Sequence, residues 1–173
     1  MSDDVKVTLG FDLGAKGAAC LLRGEAMEAY PLTLPKRGDP ERAGWWWREA
    51  ARILDTFHPT AVAYENPFFA TKDKDNKKAG ARGQSHNWIR RQEGILLAIC
   101  DQREILCVGV PTQTVSSFAK RDGVPKWGKG ERKDALRNGA VALGWPVESW
   151  SQDAIDALWV AKWMAAQPLE IVP

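Results

Sequence analysis

The stretch QDAIDALWVAKW, residues 152–163, has the pattern of an almost wholly apolar helix, yet it contains Asp153 and Asp156. Two residues three positions apart lie on one face of a helix. Asp153 can complement the positive end of the helix dipole, behind an N-cap at Ser151. Asp156 lies beyond the first turn among apolar residues, with no basic residue four positions later. A carboxylate in that setting is costly unless it is paired or binds a cation.

Two further acids occupy comparable positions, each beside the end of an apolar strand. They are Asp12 in VTLGFDLG and Glu65 in AVAYENPFF. Alternation along a strand turns each acid toward a face lined by small residues. If the two strands are neighbours and the last helix crosses that face, four carboxylates meet in one pocket.

Four carboxylates in one pocket repel one another and require a cation. Ligands that are all oxygen select Mg²⁺, or Mn²⁺ as a substitute, over zinc. Two such ions about 3.5–4 Å apart suit phosphodiester hydrolysis, because one activates water and the other stabilises the leaving oxygen. The acids therefore predict a metal-dependent nuclease site.

Basic residues are concentrated in two segments, residues 70–91 and 119–137, although the net charge of the chain is only +2. The rest of the chain is net acidic, so these segments predict a surface for a polyanion such as nucleic acid. Solvation of charged loops is the simpler alternative. The candidate DNA-binding residues are Lys72, Lys74, Lys77, Lys78, Arg82, Lys126, Lys129, Arg132 and Lys133.

The length of the chain, 173 residues, is typical of one domain, and we expect residues 1–173 to form one. No apolar run is long enough to cross a bilayer, and the N-terminus lacks the pattern of a signal peptide, which predicts a soluble, cytoplasmic protein. The three cysteines, Cys20, Cys100 and Cys107, are expected to be reduced core thiols.

The periodicity of the chain predicts a mixed sheet flanked by helices. Three β-type runs separated by glycine-containing turns, VKVTLGFDL, GAACLLR and AMEAYPLTL, predict an antiparallel meander. The patterns that follow predict a helix from Asp39 to His58, a strand TAVAYE, a basic loop to about residue 83, a helix over 85–102, a strand ILCVGV, a short helix TQTVSSFAK, a basic helix closed by Gly144, and a last helix from about Ser151 to Ala166.

Four motifs in this order resemble those of the RuvC-type Holliday-junction resolvases, which are ribonuclease H-like nucleases. They are GFDLGAKGAA, YENPF, TQTV and DAIDAL, and they span nearly the whole chain. The resemblance implies an α/β fold with three antiparallel strands, then parallel strands, and helices on both faces. It also implies an Mg²⁺-dependent homodimer that cuts four-way DNA junctions symmetrically, with Asp12, Glu65, Asp153 and Asp156 as catalytic metal ligands.

The same resemblance assigns a DNA contact to the segment after Glu65. Phe68 takes the place of the family's aromatic residue that contacts bases near the junction centre, and we expect Phe68 and Phe69 to form an exposed wedge. Thr112 stands where bacterial members tend to carry a lysine, and Lys129 and Lys133 are the candidates to replace that lysine. The longer basic loops indicate a phage or otherwise divergent branch.

The helix over 85–102 is the predicted dimer interface, because a symmetric cut requires two sites about one two-fold axis. Trp88, Gln92, Ile95 and Ile99 form one stripe on this helix. Packing of the stripe on the sheet of the same chain is the alternative.

Three other functions fit part of the pattern. A branched-DNA or flap endonuclease of the same fold would use the same four acids. The segment FDLGAKGAA also resembles the phosphate-binding hairpin of actin-like ATPases and sugar kinases, but those proteins need two lobes. A non-catalytic nucleic-acid-binding module would leave the four acids without a role.

Overall fold

The computed structural model describes residues 6–36, 38–66 and 79–168, with the backbone alone from 79 to 86. In these ranges the strands and helices follow one another in the predicted order. They are β1 (Val7–Asp12), β2 (Lys16–Arg23), β3 (Ala26–Thr33), α1 (Asp39–Phe57), β4 (Ala61–Asn66), α2 (Ala79–Gln102), β5 (Leu106–Pro111), α3 (Thr112–Arg121), α4 (Arg132–Ala142) and α5 (Gln152–Ala165).

The strands form one mixed sheet in the order β3-β2-β1-β4-β5. β2 pairs antiparallel with both β1 and β3, whereas β4 pairs parallel with both β1 and β5. The parallel part joins β1 directly to β4, so the carboxyl ends of the two strands that carry Asp12 and Glu65 lie side by side. The predicted mixed sheet is confirmed.

Each face of the sheet supports its own core, because side chains alternate along the strands. Small residues such as Ala18 and Ala63 pack with α3, α4 and α5 on one face, around the buried Trp159. Larger residues such as Phe11 pack with α1 and α2 on the other face, around the buried Trp46. The small-residue face predicted for the two acids is therefore the face that α5 covers.

The backbone of α5 lies unusually close to β1 at Gly10. A Cβ atom at Gly10 would lie 2.1 Å from the Ala157 carbonyl oxygen and 2.4 Å from the Ala161 nitrogen. Thr8 adds a hydrogen bond from its hydroxyl to the Ala161 carbonyl oxygen, at 3.4 Å. Only glycine permits this approach, which brings the first turns of α5 toward the end of β1.

Helix α2 differs from its prediction in its start and in its buried face. It begins at Ala79 rather than 85, because the sequence AGARGQ has no apolar periodicity to mark a helix. Trp88, Gln92 and Ile99 are buried within the chain, and Ile95 packs beside them. The predicted stripe is thus a core face of the same chain, and its assignment to a dimer interface is wrong.

The cysteines behave as core thiols in the described structure. Cys20 and Cys100 are buried, Cys107 is half-buried, and all three are free. Within the residues that the structure describes, none of the helices combines the length and the apolarity needed to cross a membrane.

Candidate active site

Asp12 and Glu65 lie at the carboxyl ends of two paired parallel strands. Asp12 ends β1, and Glu65 is the last residue but one of β4. Phe11 is paired with Tyr64, so the acids that follow these two residues point to the same face of the sheet. That face is the one beneath the first turns of α5.

Asp12 is under the influence of the three other predicted acids. Burial raises the pKa of Asp12 to about 8, and the negative charges of Asp156, Glu65 and Asp153 add to this rise, while Lys133 opposes it. A carboxyl pKa that burial and neighbouring negative charges raise this far is typical of a functional site. The structure therefore brings the other three acids within electrostatic reach of Asp12.

The two aspartates of α5 differ in their surroundings, as the sequence predicts. Ser151 is the N-cap, and its hydroxyl oxygen accepts a hydrogen bond from the Ala154 nitrogen at 3.2 Å. Asp153 is half-buried in the first turn, where it also complements the helix dipole. Asp156 is one turn further and only 4% exposed. Capping thus accounts for Ser151 and in part for Asp153, but not for Asp156.

Asp156 has polar partners that its own position in the sequence did not reveal. Gln152 donates to its Oδ1 at 3.3 Å, Arg132 Nη1 lies 3.7 Å from the same oxygen, and Lys133 Nζ lies 4.0 Å from Oδ2. Burial raises the pKa of Asp156 and the charge of Glu65 adds to the rise, whereas the two cations and the amide oppose it. Both cations come from α4, which no helical spacing on α5 could predict.

Glu65 is held on both of its oxygens. Thr112 donates to Oε1 at 2.6 Å, and Arg132 donates from Nη2 to Oε2 at 3.0 Å. The Nε atom of Arg132 in turn donates to the Ser116 hydroxyl at 3.0 Å. Thr112 and Ser116 are four residues apart and therefore lie on one face of α3. Arg132 was predicted only as a DNA contact, and its place between the acids was missed.

The donor set fits a hard divalent cation, because it consists of four carboxylates and no sulfur or nitrogen. In the described part of the chain, however, no three Asp, Glu, His or Cys side chains have the arrangement of a metal site. The guanidinium of Arg132 instead lies against Glu65 and Asp156. The residues therefore fit the chemistry of Mg²⁺ or Mn²⁺, although their arrangement here is that of a site closed by an arginine.

The predicted DNA-binding residues are described only in part. Lys126 and Lys129 are exposed in the loop between α3 and α4, and Lys133 is exposed at the start of α4, on the same side as the acids. Arg82 lies in α2, but its side chain is not described. Phe68, Phe69, Lys72, Lys74, Lys77 and Lys78 lie outside the described residues.

No family model and no curated protein matches the chain. Among solved structures it is similar to RuvC of T. thermophilus in complex with a Holliday junction substrate, with a TM-score of 0.59, 19% identity and 90% of each chain covered. A second structure of Thermus thermophilus RuvC matches with a TM-score of 0.58 and 21% identity, again over 90% of each chain. The chain is also similar to the yeast mitochondrial Holliday junction resolvase Ydc2, with a TM-score of 0.61 and 14% identity. That match covers 91% of this chain and 76% of Ydc2. The chain thus has the ribonuclease H-like fold in the form seen in RuvC-type resolvases, as its motifs predict.

Proposed function

We propose that this protein is an Mg²⁺-dependent endonuclease that resolves four-way DNA junctions by paired, symmetric phosphodiester hydrolysis. One observation carries the proposal: the carboxyl of Asp12 is half-buried at the end of the central strand, and the charges of three other acids from β4 and α5 act on it. A non-catalytic DNA-binding module gives no reason to place acids there, beside exposed lysines that would attract a polyanion.

In this proposal Asp12, Glu65, Asp153 and Asp156 hold the metal. Bound Mg²⁺ would supply an activated water and stabilise the leaving oxygen, and Mn²⁺ would substitute for it. The residues around the acids orient them. Thr112 donates to Glu65, and Gln152 donates to Asp156. The apolar packing of α5 on the sheet then fixes the position of its two aspartates.

The exposed lysines at the start of α4 and in the loop before it bind DNA in this proposal. Lys126, Lys129 and Lys133 would contact backbone phosphates, which position a substrate without reading its sequence. Lys129 and Lys133 are then the candidates to supply the phosphate contact that a lysine at the position of Thr112 would make.

A homodimer is part of the proposal, because two symmetric cuts require two sites. We assign its contact to the outer face of α2, where Gly94, Leu97, Ala98 and Asp101 are exposed at helical spacing. Leu97 is 39% exposed, and the space beyond Gly94 is open, so a second helix can approach closely.

A cleavage assay with labelled substrates tests this function. The substrates are four-way, three-way, flap, linear duplex and RNA–DNA molecules, each with Mg²⁺ or Mn²⁺ and with wild type or Asp12→Asn. We expect paired cuts in the four-way junction that are absent from the variant and from linear duplex. Equal cleavage of flaps and three-way junctions would favour a general branched-DNA endonuclease of this fold. Activity that persists in Asp12→Asn would overturn the assignment of the site.

A further inference from the structure

The guanidinium of Arg132 is held by three elements at once. Nε donates to Ser116 on α3 at 3.0 Å, and Nη2 donates to Glu65 on β4 at 3.0 Å. Nη1 lies 3.7 Å from Asp156 on α5. The side chain of Arg132 is 22% exposed, whereas that of its neighbour Lys133, which lies 4.0 Å from Asp156, is 61% exposed. Arg132 is therefore the positioned cation of this site, and Lys133 is a loosely held one.

Arg132 supplies the positive charge that two of the acids require. The side chains of Glu65 and Asp156 are only 12% and 5% exposed, so water solvates their charges poorly. Two buried carboxylates need a compensating cation, and the planar fork of an arginine meets both. A divalent ion shared by the same two carboxylates would lie within a few Å of the guanidinium and would be repelled by it.

We propose that Arg132 is a built-in counter-ion of the metal-free site, which a divalent cation must displace before it can bind Glu65 and Asp156. This inference rests on the proposed function for the identity of the metal ligands. Arg132 is the first residue of α4, so its side chain can turn outward without breaking helical hydrogen bonds. A DNA phosphate on the exposed side, near Lys133, then gives it a new partner.

The displacement couples metal binding to DNA binding. Without DNA, the arginine competes with the metal for the two carboxylates, which weakens metal affinity. When DNA is bound, a backbone phosphate accepts hydrogen bonds from the guanidinium, so Arg132 competes less with the metal for the two carboxylates. Such coupling is reciprocal, so metal strengthens DNA binding by the factor by which DNA strengthens metal binding. The nuclease would then load its metal mainly when a substrate is present.

Titration of DNA-free protein with Mn²⁺, followed by the electron paramagnetic resonance signal of free Mn²⁺, tests the inference without any activity. The variant Arg132→Met keeps the length of the side chain but not its charge, and we expect it to bind Mn²⁺ at least about tenfold more tightly than wild type. Arg132→Lys should stay within about threefold of wild type. Arg121→Met, which removes one exposed positive charge from the end of α3, is the matched control and should change the affinity less than twofold.

Thermal unfolding in EDTA and in Mn²⁺ gives a second readout. In EDTA, Arg132→Met should have a lower melting temperature than wild type, because Glu65 and Asp156 lose their counter-ion. Addition of Mn²⁺ should raise the melting temperature of Arg132→Met more than that of wild type. If Arg132→Met does not fold in EDTA, the Mn²⁺ affinity of Ser116→Ala tests the inference in its place. It removes only the anchor of Nε, and it should raise Mn²⁺ affinity by about two- to threefold.

The outcomes separate this inference from the proposed function. Mn²⁺ binding by Arg132→Met and Ser116→Ala that is equal to or weaker than that of wild type would overturn the inference about Arg132. Arg132 would then be a permanent partner of Glu65. The proposed function would survive that result if Asp12→Asn still abolishes the Mn²⁺ binding of wild type. If neither wild type nor Arg132→Met binds Mn²⁺ in a way that Asp12→Asn abolishes, the metal site is wrong and both proposals fall.

Discussion

Thr112 donates a 2.6 Å hydrogen bond to Glu65, from the first turn of α3 to the end of β4. A hydroxyl there cannot neutralise the carboxylate, and the positive charge comes instead from Arg132, which contacts the other oxygen. Orientation and charge compensation of Glu65 are thus divided between two residues from two helices.

This division predicts the effect of Thr112→Val, which keeps the shape of the side chain but removes the donor. Loss of a residue that orients a metal ligand typically costs about 10–100-fold in activity or metal affinity. We expect a decrease of about tenfold in junction cleavage at saturating DNA, with Mn²⁺ affinity also reduced. Thr112→Ser retains the hydroxyl and is the control. Wild-type rates in Thr112→Val would mean that the Thr112 hydroxyl does not orient Glu65 for cleavage.

The acids of α5 are expected to be essential for cleavage but not for DNA binding. Asp153→Asn and Asp156→Asn should each abolish cutting in Mg²⁺ while the circular dichroism spectrum stays unchanged. In EDTA, gel-shift affinity for a four-way junction should be equal or higher, because one charge that repels phosphate is gone. Asp134→Asn, an exposed acid of α4, is the control. Near wild-type cutting by both variants would leave only the capping explanation for Asp153 and none for Asp156.

The raised pKa of Asp12 predicts a pH-dependent stability of the metal-free protein. Its pKa is about 8 in the folded state and about 4 in an unfolded chain. Between these values the folded state binds the extra proton, so the free energy of unfolding falls as pH rises from about 4 to 8 and is level above that range. Melting in EDTA from pH 5 to 9 should show this fall in wild type.

Asp12→Asn should flatten that profile and raise the melting temperature at pH 8, because an amide carries no charge to bury. Addition of Mn²⁺ at pH 8 should stabilise wild type and leave Asp12→Asn unchanged. A wild-type profile in EDTA that is level between pH 5 and 8 would place the pKa of Asp12 near its ordinary value and contradict the electrostatic coupling of the four acids.

Gly10 is expected to tolerate no side chain. A methyl group there would overlap the Ala157 carbonyl oxygen, so Gly10→Ala must push α5 away from β1. We expect a loss of about 3 kcal/mol or more in the free energy of unfolding, measured by urea denaturation, together with loss of cleavage. Gly44→Ala is the control, because a methyl group in α1 would meet only the end of the Arg48 side chain and should stabilise by up to ~1 kcal/mol. Equal effects of the two changes would show that α5 can shift at little cost.

The proposed dimer is tested at Leu97. Leu97→Glu places a charge on the outer face of α2, and sedimentation at micromolar concentration should show monomers where wild type shows dimers. Paired cutting should be lost while Mn²⁺ binding remains. Leu143→Glu changes another leucine of similar exposure, just after α4, and should stay dimeric. A dimeric Leu97→Glu would show that the dimer contact lies elsewhere. A monomeric wild type would contradict the proposed dimer.

The sequence by itself determined the order of the elements and the two-faced sheet, and it identified the four acids as candidates for one site. Each of these depends on local information. Alternation in β1 and β4 separates small from large residues, and the cost of burying a carboxylate makes Asp156 conspicuous among its apolar neighbours. Asp12 and Glu65 could be paired in advance because both stand at the ends of apolar strands.

Only the tertiary structure decided which groups face those acids. The stripe of Trp88 and Ile99 was equally compatible with a dimer contact and with a core, because an apolar helical face does not specify its partner. Arg132 is 67 residues from Glu65 along the chain, and nothing in the basic run around it separates it from Lys129 or Lys133. Its place between two carboxylates follows from how α3, α4 and α5 pack on one face of the sheet, and long-range packing of that kind leaves no periodic pattern in the sequence.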